Sequence, residues 1–257
     1  MANLAQYEST AMLLRRWQEN ETGMLSPGGS DKQSSLDQSI RMSLESARVR
    51  QVSDAMSALY VLSMSPDGLE REVLLKILEQ LVHPARTLSV LVQTALAQQL
   101  DDGKRIHVLA PIRHYVLNYH RDQVNDKVLF ACYAHFISIA ELGKSMGTPA
   151  TRPCAAVLLQ EILNTETVFI HALKDSRMDA SQRIAAASAT TQLALFTRYT
   201  ALGTTQPLLH PMDYCRAIGK KETLADILMS LAMLGVVSPG TLPVGQYVEE
   251  AQMIYTG

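Results

Sequence analysis

Seven histidines (His83, His107, His114, His120, His135, His171 and His210) and three cysteines (Cys132, Cys154 and Cys215) are the side chains of this 257-residue chain that could ligate a metal or attack a substrate. Their spacing supports neither chemistry. No H-E-x-x-H pair occurs, and no two cysteines stand at zinc-finger distance. His114 and His120 are six apart, so on a helix they do not share a face closely enough to chelate. Cys132 and His135 are one helical turn apart, the spacing of a thiolate–imidazolium pair. Phe130, Tyr133 and Phe136 around them predict core packing instead. The odd, widely spaced cysteines read as reduced structural thiols. No metal site and no catalytic residue is expected.

Phosphate chemistry is the next candidate. A P-loop needs two glycines around four residues, then Lys and Ser or Thr, so that backbone amides and one ammonium cradle the phosphates. Gly23-Met24-Leu25-Ser26-Pro27-Gly28 has the glycine spacing. Gly29 stands where the Lys must be, and Pro27 removes an amide from the cradle. Gly219-Lys220-Lys221 has no glycine at the earlier position. The chain alone is therefore expected to have no ATPase activity. Arg15-Arg16 and Lys220-Lys221 read as solvated helix surface. The formal net charge of −2 points away from nucleic acid and from anionic membranes.

The elements that would position any site are mostly helical. Apolar residues make up 47% of the chain and charged residues 19%, enough for a core without global disorder. Phe and Trp number four and one, while Ala and Leu abound, a balance that favours helices over sandwiches. A helix is expected over residues 3–18, with Leu4, Tyr7, Met12, Leu13 and Leu14 apolar and Trp17 near its end. A loop follows over residues 23–35. Ser35 is expected to cap a helix over 36–44, and Ser53 one over 54–62. Residues 1–53 then form a small helical subdomain.

Residues 54–122 read as a winged helix. A helix over 55–62 leads into the turn Ser65-Pro66-Asp67-Gly68, where Pro and Asp-Gly stop one helix and redirect the chain. Helices are expected over 70–81 and 86–97. Residues 98–100 and 104–108 flank Asp101-Asp102-Gly103 as a short β-hairpin, since Asp-Gly supplies the positive φ angles of a tight turn. Ala110-Pro111-Ile112-Arg113 opens a further helix, with Pro111 where its missing N–H costs nothing. A winged helix can read DNA through its second helix, but residues 87–96 here lack base-reading charges and predict protein packing.

Residues 123–257 read as α-α hairpins, the start of a tetratricopeptide-like array. Gly143, Gly203, Gly219 and Gly235 are expected to end helices. The last three are sixteen apart, which gives a period of about 32 residues, near the roughly 34 of such repeats. Ala225, Leu228, Leu231, Tyr247, Ala251 and Tyr255 are the expected packing positions. Trp17, Ile112 and Tyr199 are expected in the core.

Several of these strings together resemble one family. Leu14-Arg15-Arg16-Trp17, Ser35-Leu36-Asp37-Gln38-Ser39-Ile40 and Ser43-Leu44-Glu45-Ser46 resemble the ARC helices of fungal NOD-like, NB-ARC-type signal-transducing (STAND) ATPases. Leu62-Ser63-Met64-Ser65-Pro66-Asp67-Gly68-Leu69 and Val108-Leu109-Ala110-Pro111-Ile112-Arg113-His114-Tyr115 resemble their winged helix. Ala140-Glu141-Leu142-Gly143-Lys144 and Phe196-Thr197-Arg198-Tyr199-Thr200-Ala201-Leu202-Gly203 resemble the start of their repeats. The resemblance covers nearly the whole chain and implies a P-loop core upstream of it. In many relatives the winged helix carries a Met-His-Asp motif whose His reaches the ADP phosphate. Aligned on Val108-Leu109-Ala110, the resemblance puts Leu109 at that nucleotide-sensing position, with His107 on the neighbouring strand. Leu cannot donate to a phosphate.

The resemblance implies a regulatory and sensor fragment, a non-catalytic protein-interaction module, whose winged helix clamps an ADP-bound core. Protein or peptide ligands would bind through the repeats. ADP or ATP enters only with the upstream core, and so does any oligomer. Neither nucleic acid nor membrane is an expected partner, and the expected location is the cytoplasm. The chain is expected to be either a truncated piece or a stand-alone remnant. Two other readings stay open: part of a nucleotide-dependent switch ATPase whose core is supplied upstream or in trans, and a winged-helix DNA-binding regulator.

Overall fold

The computed structural model describes residues 30–100, 103–237 and 242–256. The expected helix over residues 3–18, with Trp17, the Gly23 to Gly29 stretch, and Asp101 and Asp102 lie outside them. The described chain is mostly helical with one small antiparallel sheet, and it divides into two compact units, Met1–Leu129 and Phe130–Gly257. Among the described residues no helix is long and apolar enough to cross a membrane.

The first unit runs α1 (Ser30–Leu44), α2 (Ala47–Arg50), α3 (Ala55–Ser63), β1 (Leu69–Glu70), α4 (Arg71–Ile77), α5 (Pro84–Gln93), β2 (Gln98–Leu100), β3 (Arg105–His107) and α6 (Ala110–Tyr119). Its axis is α3, in which every residue except Met56 is buried. A helix apolar all round must be surrounded, and α5, α6 and β3 pack on it. Neighbours satisfy polar groups at both ends. The Ser57 hydroxyl accepts the Asn125 amide at 3.0 Å, and Arg113 Nε donates to the Ser63 carbonyl at 3.0 Å. The Ser63 and Ser65 hydroxyls turn back onto the carbonyls of Leu59 and Val61.

The sheet order is β1-β3-β2, with Leu69 opposite Ile106 and Gln99 opposite Ile106 on the other side. The hairpin arms expected over 98–100 and 104–108 are β2 and the shorter β3, and a third strand joins them. Because Leu69 and Glu70 pair with β3, the helix expected over 70–81 starts only at Arg71 and ends at Ile77. The helix expected over 86–97 is α5, begun two residues earlier on Pro84 and closed by Ala95 in the left-handed conformation (φ 57°). The Leu96 and Ala97 amides then both reach the Leu91 carbonyl. Two expected caps are corrected. Ser35 lies inside α1, which begins at Ser30; α3 starts after Asp54, not Ser53, with no side-chain cap.

The second unit holds α7 (Asp126–Ala140) from Phe130 onward, the 3₁₀ turn Glu141–Ser145, α8 (Thr151–Leu173), α9 (Ala180–Thr200), α10 (Gln206–Ile218), α11 (Lys221–Val237) and α12 (Val244–Thr256). Each of α8 to α11 packs on the next helix, α8 also on α10, and α9 also on α11. Ala187, Leu208, Cys215, Ile227, Leu228, Leu231 and Ala251 form the core. Asp179 caps α9 in a full capping box with Gln182.

The sixteen-residue glycine period marks helix ends only in part. Gly219 does end α10, at φ 68°, and Gly203 lies in the loop after α9 at φ 92°. Gly235 sits inside α11, where a Cβ would come within 2.5 Å of Val244, so it permits close packing with the chain entering α12. Gly143 lies in the 3₁₀ turn and lets it press onto the backbone of α9 at Gln192. Of the expected packing positions, Ala225, Leu228, Leu231, Tyr247 and Ala251 are buried. Tyr255 is exposed, its hydroxyl bound to Asp226 at 2.9 Å. Tyr199, expected in the core, is 62% exposed, and Ile112 is only half-buried.

Candidate functional site

The α1–α6 seam brings three of the expected site residues of the first unit together, Leu109, Pro111 and Ile112. Leu109 stands in extended conformation just before α6, and Pro111 occupies that helix's first turn. Leu109, Pro111 and Ile112 form one wall of a groove of about 270 Å³. Leu36, Ser39, Ile40 and Ser43 of α1 form another, and Thr94, Ala95 and Leu96 close the end. The left-handed Ala95 is what turns the chain after α5 into this position. None of these described lining residues carries a charge. The Ser43 hydroxyl donates to the Ser39 carbonyl and the Thr94 hydroxyl to the Val90 carbonyl, so two of the groove's hydroxyls are engaged within their own helices. Such a lining suits apolar side chains and offers nothing to neutralise a phosphate.

His107 is elsewhere. It pairs with Gln98 at the end of β3, and its Cβ backs onto Gly68. The turn residues Pro66, Asp67 and Gly68 also have a structural task. Gly68 donates to the Ser65 carbonyl at 2.9 Å with φ 70°, and a Cβ there would meet the Ile106 carbonyl oxygen at 2.5 Å. Arg105 clasps the same turn, donating from Nε to the Asp67 carbonyl at 2.8 Å and from Nη2 to the Gly68 carbonyl at 3.0 Å. Arg113 caps α3, as described. Gly203, Gly219 and Gly235 belong to the second unit.

On its other flank α1 presents Asp37, Gln38 and Arg41, which with Tyr115 of α6 line a cavity of about 320 Å³. Burial pushes the Asp37 carboxyl above its ordinary value. Burial also raises the Tyr115 phenol; the Arg41 charge opposes that, and Asp37, Tyr119 and Glu45 add to it. The Tyr115 ring lies 5.0 Å from Tyr119 and 5.5 Å from His120, centre to centre. His120 Nδ1 is 3.2 Å from Gln123 Oε1, and its buried Nε2 has no hydrogen-bond partner.

Two buried carboxylates in the second unit were invisible to motif reading. Asp175, 1% exposed, sits between α8 and α9. It accepts from Tyr133 Oη at 2.9 Å, from the Arg177 amide at 3.0 Å and from the Arg177 guanidinium at 3.0 and 2.9 Å. Burial pushes this carboxyl up, but the Arg177 and Tyr133 hydrogen bonds together hold it below its ordinary value. Glu166, 6% exposed on α8, accepts the Thr204 amide and holds the loop after α9. Burial raises its carboxyl, and the Thr204 bonds only partly offset that. Neither has a sequence signature, because Tyr133 lies 42 residues from Asp175 and Thr204 lies 38 residues from Glu166.

Cys132 follows the core reading. Cys132 and Cys215 are buried and burial raises both thiols, with Lys220 a minor opposing charge at Cys215. Cys154 is partly exposed. His135 stacks edge-on against Phe136 at 5.1 Å. Among the described residues no group of three His, Cys, Asp or Glu side chains could hold a metal. Comparison with protein-family models, with curated proteins and with solved structures finds no match to this chain.

Proposed function

We propose that the chain is a non-catalytic regulatory and protein-interaction module, the winged-helix and helical-repeat part of an NB-ARC-type switch. The observation that carries this reading is the order helix, strand, helix, helix, strand, strand, helix in α3 to α6, with the strands arranged β1-β3-β2. That order supports a winged-helix reading, in which β2–β3 would be the wing. The stack after it supports the second half of the reading. Its helices pack on the next and, in two cases, the next-but-one in sequence, the neighbour pattern of a solenoid. Protein contact is favoured over DNA because α5 spends Thr87, Leu88 and Leu91 on the core. Arg105 of the wing is engaged by the turn carbonyls.

In this reading the groove at Leu109 is an apolar contact for a partner domain. The test adds the chain to an NB-ARC nucleotide-binding core loaded with a fluorescent ADP analogue and follows its release. Slower release, restored to the free rate by Leu109→Asp, is expected. Unchanged release overturns the clamp. The chain titrated alone with the same analogue is expected to give no signal. A salt-dependent affinity for duplex DNA would move the assignment to a DNA-binding regulator.

A further inference from the structure

The polar flank of α1 sets an acid and a base beside one cavity. Asp37 and Arg41 stand four residues apart, the spacing at which opposite charges on a helix pair with each other, about 5–6 Å between Cβ atoms. Here no ion pair joins them among the described residues. Both instead border the cavity of about 320 Å³ that Gln38 and Tyr115 also line. The acid, the guanidinium and the ring line this one space, and both charges act on the Tyr115 phenol.

We propose that this cavity binds a free α-amino acid in its zwitterionic form. Asp37 accepts from the ammonium group, Arg41 donates to the carboxylate, and the Tyr115 ring borders the ligand's side chain. The ligand class follows from the pairing of charges. A phosphate or dicarboxylate would meet the like charge of Asp37. A simple cation would meet the like charge of Arg41. A neutral apolar ligand would leave both ions desolvated without partners. A molecule with one charge of each sign satisfies both, and the Arg fork matches a carboxylate in two parallel bonds. Gln38 adds one acceptor and two donors at the rim. No bond is made or broken, so the site is a sensor pocket and not a catalytic one.

The test is saturation-transfer NMR on the full chain with an equimolar pool of the twenty common amino acids at millimolar concentration. At least one amino acid is expected to show transfer, and its N-acetyl and amide derivatives, each lacking one charge, to show none. Asp37→Asn and Arg41→Gln are each expected to weaken that ligand at least tenfold, while Glu79→Gln, at an exposed position after α4, leaves affinity unchanged. Thermal melts within a few degrees of the parent show that the variants are folded. Absence of transfer from every amino acid to the unmodified chain overturns the proposal. So does transfer that survives both charge substitutions, or equal binding of the blocked derivatives.

Discussion

At Gly68 two demands meet in one residue: a left-handed φ of 70° and contact with the Ile106 carbonyl, closer than any Cβ allows. Gly219 has nearly the same φ, 68°, with nothing within 4 Å of a Cβ. The pair separates backbone strain from collision. Gly219→Ala is expected to cost about 1–2 kcal/mol, the price of the left-handed conformation for an L-residue. Gly68→Ala carries that cost plus the displacement of β3, so its urea midpoint should fall clearly further. Equal shifts for the two would show that the turn yields freely. A similar comparison applies to apolar positions. Ile106 is fully buried, and Ile106→Ala should cost about 2–5 kcal/mol. Ile112 is half-buried, which lowers the expectation for Ile112→Ala to about 1–2 kcal/mol.

Helices and loops are where charge and pH enter. The raised Glu166 carboxyl favours the protonated form in the folded state. Its contribution is complete below its ordinary value of 4.5 and is lost as pH rises through the folded value. Asp175 has the opposite sign: held below 3.8, it contributes above that pH and loses its contribution as pH falls through the folded value. Urea melts from pH 3 to 8 should therefore show Glu166→Gln flattening the decline toward neutral pH and Asp175→Asn flattening the acid side. Identical pH profiles for parent and variants would remove both assignments. Elements with strong local signals were legible in sequence. The Pro66-Asp67-Gly68 turn, the Gly103 hairpin and the Pro111 start of α6 all stand as expected. The rest depends on partners distant in the chain. β1 exists because β3 lies beside it, Gly235 serves close packing and not termination, and Tyr199 lies outside a core its own spacing could not locate. At the candidate site, the apolar series Leu36 and Ile40 was readable as one helix face. That Thr94 to Leu96 would close the groove was not, since it follows from a left-handed Ala95.

For the whole molecule, the division into two compact units predicts how damage spreads. Each unit has its own buried core, around α3 in one and around α11 in the other, so substitutions should act within their unit. Calorimetry of Ile106→Ala is expected to lower one transition, and Leu228→Ala, at a fully buried position, to lower another. A single transition that both variants shift equally would mean that the units melt as one. The cysteine distribution has a practical consequence for such work. With Cys132 and Cys215 buried and Cys154 partly exposed on the first turn of α8, a thiol reagent meets one ready target in the folded chain. The native sequence thus supplies its own attachment point for a fluorophore or spin label. Labelling that proceeds from one site per chain to three would clock the opening of the second unit.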